Sequence, residues 1–190
     1  EPGWYSRCGV VPGLTPKAGD PHTGYLQLVD AAITGEDTFA RKREVIDEYG
    51  WRHYGDIYGD HQAVFHQGPT PLGSHYNNQY DAVAGLAYQY LRSGDPPWLA
   101  EMEALARHVI DIDIYHTTRD KSAYNHGLFW HTFHYVDACT GTHRSYPRDA
   151  RVPPKMVPVP GGGPANEQNY TTGLMLYYFL TGYRPAGDAA

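Results

Sequence analysis

Residues 80–117 read YDAVAGLAYQYLRSGDPPWLAEMEALARHVIDIDIYHT, and their periodicity decides the fold class. Tyr80 to Leu91 runs into Arg92-Ser93-Gly94-Asp95. A glycine just past an apolar-periodic segment is a helix stop, because it adopts the left-handed conformation without steric cost. Asp95 is a good N-cap, and Pro96-Pro97 suit the first turn of a second helix. From there Trp98, Met102, Leu105, Val109 and Ile112 recur at intervals of four and three, one apolar stripe along a helix. The spacing predicts an αα-hairpin over 80–117 with its stripe in the core rather than around a cofactor.

Two other segments end in the same way. Tyr25 to Ile33 runs into Thr34-Gly35-Glu36, and Asn169 to Leu180 runs into Thr181-Gly182-Tyr183. At an offset of 88 residues, Asn78, Gly85, Leu86, Tyr90 and Gly94 match Asn166, Gly173, Leu174, Tyr178 and Gly182. Self-similar helical units point to a repeating helical architecture. The helix over 169–181 is expected to have no second helix after it, because the chain runs on into Pro, Gly and Ala residues.

A chain of 190 residues is one domain by length, 1–190, with room for a sizeable core. Charged residues are 19% and aromatics 14%, with 17 Tyr and 11 His, a composition suited to sugar-binding clefts as well as to Tyr-rich cores. The net charge of −6 and the lack of a Lys/Arg cluster argue against nucleic acid as a partner. No run of ~18 apolar residues is present, so no membrane-spanning helix is expected. Cys8 and Cys139 lack metal-type spacing and read as two free thiols unless the fold pairs them. From the start at Glu1, without Met, a processed or excised piece is expected.

Three polar, aromatic segments interrupt the helices. The first is Tyr49-Gly50-Trp51-Arg52-His53-Tyr54-Gly55-Asp56-Ile57-Tyr58-Gly59-Asp60-His61. The second, His75-Tyr76-Asn77-Asn78-Gln79-Tyr80-Asp81, leads into a helix that Asn77 or Asn78 is expected to cap. The third is Tyr124-Asn125-His126-Gly127-Leu128-Phe129-Trp130-His131-Thr132-Phe133-His134-Tyr135. If it is helical from Gly127, then Gly127, His131, His134 and Ala138 share one face and Phe129, Phe133 and Val136 the other. Long loops over 49–77 and 141–165 are of the kind that carries function in a compact helical domain.

His131 and His134 have a spacing that can bracket a cation, with Asp56, Asp60 or His61 as further ligands, but no HExxH sequence occurs. A divalent cation is therefore the minority reading, and no cofactor or metal is assigned. No GxSxG elbow is present and neither cysteine has a base beside it. Glycoside hydrolysis needs two carboxylates across a cleft, for which Asp56, Asp60, Asp81 and Glu167 are available. β-Elimination on a uronate needs a base, an acid for the leaving oxygen and a group that offsets enolate charge. The His, Tyr, Arg and Asn content suits this second chemistry better.

These segments resemble the exo-rhamnogalacturonan lyase-like family. The resemblance rests on the three segments above, on Ala106-Arg107-His108-Val109-Ile110-Asp111-Ile112-Asp113-Ile114-Tyr115-His116, on Thr142-His143-Arg144-Ser145-Tyr146 and on Gly161-Gly162-Gly163-Pro164-Ala165-Asn166-Glu167. It extends over about residues 45 to 182. It implies an all-α fold of (α/α) toroid-type hairpins with long functional loops, belonging to a larger lyase with further domains. A full toroid of about a dozen helices needs more than this length, so the toroid is incomplete here. The implied activity is cleavage of the galacturonate–rhamnose backbone of rhamnogalacturonan, an acidic plant polysaccharide. A secreted or periplasmic location follows from the same resemblance.

The catalytic candidates are His131, His134 and Tyr124, with Arg52 pairing with the uronate carboxylate through its planar fork and His61 as a further base. Trp51, His75, Asn77, Asn78, Asn125, Trp130, Arg144, Glu167 and Tyr170 are the candidates for binding sugar hydroxyls or stacking on rings. Arg107 and His108 read as polar-face or interhelical contacts. A hydrolase with a carboxylate pair and a non-catalytic carbohydrate-binding fragment are the alternatives.

Overall fold

The computed structural model describes residues 1–11, 13–51, 53–58, 66–69, 73, 75–76, 78–120, 122, 125–128 and 170–190. Among these the chain is mainly helical, as expected. The helices are α1 (Pro2–Cys8), α2 (Thr23–Ala31), α3 (Phe39–Val45), α4 (Ala82–Ser93), α5 (Pro96–His108), α6 (Thr172–Thr181) and α7 (Arg184–Ala189). A two-stranded antiparallel ladder joins β1 (Ile57–Tyr58) to β2 (His75–Tyr76), with Ile57 opposite Tyr76 and Tyr58 opposite His75.

The hairpin expected over 80–117 is α4 and α5. Gly94 ends α4 at φ 75°, and Asp95 starts α5 with proline in its first turn. Trp98, Met102, Leu105 and Val109 are all buried, and Val83, Leu86 and Ala87 of α4 face them. Ile112 breaks the stripe. Residues Val109–Asp113 form a π turn, in which the Ile114 N–H donates to the Val109 carbonyl at 3.0 Å. The extra residue rotates the face, so that Asp113 is fully buried while Ile112 is half-buried. Beyond it the chain is extended. Ile114 bridges Leu128, and Tyr115 and Gly127 share a backbone hydrogen bond of 2.8 Å. Gly127 and Leu128 are therefore not the start of a helix, which corrects the expectation for the third segment.

The repeat at offset 88 has mixed structural meaning. Gly94 and Gly182 take the same left-handed role at φ 75° and 71°. Gly85 and Gly173 differ. A Cβ on Gly85 would meet nothing within 4 Å, whereas one on Gly173 would lie 2.4 Å from the Ala84 nitrogen and 2.5 Å from Asp81 Oδ1. Gly173 thus lets α6 begin directly against the start of α4.

The expectation of no helix after α6 is overturned by α7. Pro185 suits its first turn, and Ala186 is fully buried. A Cβ on Gly187 would sit 3.2 Å from the Tyr178 ring, so the small residues that suggested a tail are what let α7 pack closely. At the other end of the hairpin, Arg92 reaches the Thr15 carbonyl at 3.1 Å, pairs with Asp20 and lies over the Tyr25 ring. Lys17 bridges Asp30 and Asp95 at 2.6 and 3.0 Å. These contacts fasten the N-terminal region to the hairpin.

Candidate functional site

The first two polar, aromatic segments meet where α5 ends and α4 begins. They lie side by side through the β1–β2 ladder. Of the third, the described residues 125–128 lie against the chain just after the π turn, through the Ile114–Leu128 bridge. The first segment seats on α5 by backbone contact. Gly55 has φ 99°, and a Cβ there would lie 2.2 Å from the Ala104 carbonyl oxygen and 2.9 Å from His108 Cβ. Only glycine meets both demands.

Beneath that loop lies a buried charged cluster. His108 Nδ1 donates to the Tyr54 carbonyl at 2.9 Å. Its Nε2 lies 2.9 Å from Asp56 Oδ1 and 3.5 Å from Asp113 Oδ1, and all three side chains are fully buried. A ring with an acceptor on each nitrogen is an imidazolium. Burial works against that charge, but Asp56 and Asp113 raise the His108 pKa well above its ordinary value. His53 adds an Nδ1–Asp56 Oδ2 contact of 3.6 Å.

A second group adjoins the first. Arg43 of α3 pairs with Glu101 of α5 at 2.6 Å and approaches Glu48 at 3.6 Å. Its guanidinium also lies 5.6 Å from the centre of the Tyr54 ring. Burial pushes the Glu48 carboxyl up to about 8, against the pull of Arg43 and with the repulsion of Asp56 added. Burial likewise raises Glu101, which Arg43 opposes. Burial thus favours the protonated acid of Glu48 at neutral pH, with Tyr58 among the neighbours that work against it.

Above the cluster the loop presents aromatic rings to solvent. Trp51 is 75% exposed, Tyr49 57% and Tyr54 46%. The Tyr49 and Tyr54 rings are 6.4 Å apart and inclined by 31°. Tyr80 is also exposed and has φ 57°, followed by Asp81 at 56°. Two successive left-handed residues, one of them a tyrosine, are a strained entrance to a helix.

The sequence candidates fare unevenly. Trp51 is on the exposed loop, and His75 is on β2 beside Tyr58. Asn78 is buried at 2% exposure, with its Oδ1 accepting from the Val83 N–H at 3.0 Å and its Nδ2 donating to the Tyr170 carbonyl at 3.2 Å. The N-cap residue of α4 is Asp81 rather than an asparagine; Asn78 assists it by accepting from the first turn and ties the approach to α6 down. Asn125 accepts from the Thr117 hydroxyl and the Asp120 N–H and donates to the Asp120 carbonyl, so its amide holds the 115–128 turn. Tyr170 is half-buried and contributes its carbonyl to Asn78. Arg107 makes the interhelical contacts expected of it, to the Tyr177 hydroxyl and over the Tyr183 ring at 4.4 Å. Arg52, His61, Asn77, Tyr124, Trp130, His131, His134, Arg144 and Glu167 lie outside the described residues, as do Asp60 and Cys139.

Of the carboxylates weighed for hydrolysis, Asp56 is committed to His108. Asp81 accepts from the Ala84 and Gly173 N–H groups and so serves the starts of α4 and α6. Among the described residues no group of three or more His, Cys, Asp or Glu is arranged to hold a metal ion. No helix among them is long and apolar enough to cross a membrane.

Sequence reasoning missed Arg43, Glu48, Glu101 and Asp113. It also took His108 for an ordinary polar contact. Arg43 and Glu101 come from distant parts of the chain. His108 and Asp113 are five apart, a spacing that shares a face in a π turn and not in an α-helix. The alternation of Ile and Asp over 110–114 was the one local sign that the helical stripe was failing. Compared with protein-family models, with curated proteins and with solved structures, the chain gives no match in any of the three.

Proposed function

We propose that this chain is the helical segment of a polysaccharide lyase, part of an (α/α) toroid, that cleaves the galacturonate–rhamnose backbone of rhamnogalacturonan by β-elimination. The observation that carries the reading is the joining of the first two His-, Tyr- and Trp-rich segments at one end of the α4–α5 hairpin, with Trp51, Tyr49, Tyr54 and Tyr80 exposed there. Exposed rings on a backbone fixed from below suit stacking on pyranose faces, which lose little entropy on binding. The resemblance of the same segments to the lyase family supplies the reaction.

In this reading a base takes the proton α to the uronate carboxylate, a carbon–carbon double bond forms, and the β carbon–oxygen bond breaks. The departing oxygen receives a proton from an acid. His131, His134, Tyr124 and His61 are the proposed base and acid set, and Arg52 offsets the enolate charge. Trp51, His75, Asn77, Trp130, Arg144 and Glu167 are the proposed sugar contacts. Asn78, Asn125 and Tyr170 hold the segments that carry them. The partner is an acidic plant polysaccharide, and the remaining domains of a larger lyase are proposed alongside. The hydrolase alternative is weakened because Asp56 and Asp81 are spent on internal contacts.

The test is incubation with rhamnogalacturonan I, following reducing ends together with ultraviolet absorbance of the unsaturated uronate. Both signals rising together is the expected result. Reducing ends without absorbance refute the elimination, and retained binding with neither signal makes the chain a binding module.

A further inference from the structure

We propose that Tyr49 and Tyr54, held by two neighbouring residues of α3, form a subsite that stacks on the neutral sugar of the polymer and disfavours its uronate. The proposal rests on the lyase reading for the identity of the polymer. It adds which of the two backbone sugars these rings take.

The pair of rings is built from the end of α3. Asp47 takes the left-handed conformation at φ 52°. The Glu48 N–H donates to the Arg43 carbonyl at 3.0 Å and the Asp47 N–H to the Glu44 carbonyl at 3.3 Å, so the helix closes in a Schellman turn. That turn sends Glu48 inward and brings Tyr49 back over the helix, where its hydroxyl donates to Glu44. The residue beside Glu44 holds the other ring. The Arg43 guanidinium lies 5.6 Å from the centre of Tyr54, and Arg43 is itself pinned by Glu101 of α5 at 2.6 Å. The Tyr54 backbone is fixed as well, its N–H donating to the Gly50 carbonyl at 3.0 Å and its carbonyl accepting from His108 Nδ1 at 2.9 Å. The rings end 6.4 Å apart and inclined by 31°, both exposed. Rings ordered before a ligand arrives lose little entropy when it binds.

The charges around the rings select the sugar. The Tyr49 hydroxyl is engaged with Glu44, and that bond, with the charges of Glu44 and Asp47 behind it, raises its pKa and keeps it a neutral phenol. What Tyr49 offers a ligand is therefore its ring face, which takes C–H bonds. Glu44 and Asp47 are both exposed beside it. Arg43, the cation under Tyr54, is buried and paired with Glu101, with Glu48 3.6 Å away. A uronate laid on these rings would bring its carboxylate up to two exposed carboxylates, which repel it. A neutral 6-deoxy sugar, as rhamnose is, brings C–H bonds and a methyl group and meets no such repulsion. The uronate is left to Arg52, the residue already proposed for it.

Affinity electrophoresis of the full chain at low salt, against rhamnogalacturonan I and against polygalacturonate, tests this. Wild type is expected to bind rhamnogalacturonan I at least about fivefold more tightly than polygalacturonate, in which every ring is charged. Tyr49→Ala and Tyr54→Ala, at exposed positions that leave the fold intact, should each weaken binding of rhamnogalacturonan I at least about threefold. In the double variant Glu44→Gln/Asp47→Asn the ratio of polygalacturonate to rhamnogalacturonan I affinity should rise at least about threefold, and the rise should fade in high salt. Smaller effects in both tyrosine variants, a wild type that binds polygalacturonate as tightly or binds neither polymer, or a ratio that the double variant leaves unmoved overturns the subsite. Unsaturated product formed from rhamnogalacturonan I would in that case leave the lyase reading standing. Tyrosine-dependent binding with neither absorbance nor new reducing ends keeps the subsite and removes the lyase reading.

Discussion

Replacing Glu48 by Gln should remove a large part of the pH dependence of stability. The Glu48 side chain is fully buried, the Arg43 guanidinium lies 3.6 Å away, and the carboxyl is pushed up to about 8. The unfolded chain releases that proton near the ordinary value of 4.5. Between the two values the folded protein holds a proton that the unfolded chain has lost, so stability falls as pH rises. At ~1.4 kcal/mol per pH unit, the interval from 4.5 to about 8 amounts to a loss on the order of 5 kcal/mol. His108 contributes in the same direction. Its raised folded pKa gives stability that is complete below its ordinary value of 6.5 and declines as pH climbs through the folded value. Gln keeps the shape and hydrogen-bonding capacity of the protonated acid and does not titrate. Urea unfolding of wild type and Glu48→Gln, followed by circular dichroism at pH 5, 6, 7 and 8, isolates the group, since every other titration is common to both proteins. The variant should gain on wild type by roughly 1 kcal/mol per pH unit across that range. Parallel stability curves, or a wild type that gains on the variant as pH rises, would refute the argument.

Three further substitutions probe the contacts that position the site. Gly55→Ala adds a Cβ 2.2 Å from a backbone oxygen at φ 99°, and chemical denaturation should show a loss of at least about 2 kcal/mol. Asn78→Ala leaves the Val83 N–H and the Tyr170 carbonyl without their partner, so about 1–3 kcal/mol should be lost in the same assay. Met102→Ala empties a fully buried position between α4 and α5, and a loss of about 2–5 kcal/mol is expected, read as a lower melting temperature. Trp51→Ala, by contrast, removes a ring that is 75% exposed and should leave stability within ~0.5 kcal/mol while weakening polysaccharide retention in affinity electrophoresis.

The helical hairpin was legible because its signals are local. Gly94 past one stripe and Asp95-Pro96-Pro97 before the next act through the conformations of those residues alone, and they specify the turn wherever it occurs. The same locality misleads at α7. Pro185 and Gly187 read locally as the end of structure, but a helix packed against Tyr178 needs small residues on its inner face. That Asn78 would help to close the start of α4 was readable from its place before a helix, although Asp81 is the N-cap residue. Its second bond to Tyr170, 92 residues away, was not.

The sequence alone determined that this protein is helical, where its main hairpin turns, and which three segments carry an unusual density of His, Tyr and Trp. Those are properties of neighbours along the chain, governed by backbone sterics and by a period of 3.6 residues. Tertiary structure alone decided that the first two of these segments lie side by side, and that a buried ionic cluster lies beneath one of them. Arg43, Glu48, Asp56, Glu101, His108 and Asp113 are ordinary polar residues until folding removes water from around them. Their pairing, and the raised titrations of Glu48, Glu101 and His108, come from that lost solvation and from distances that no local spacing encodes.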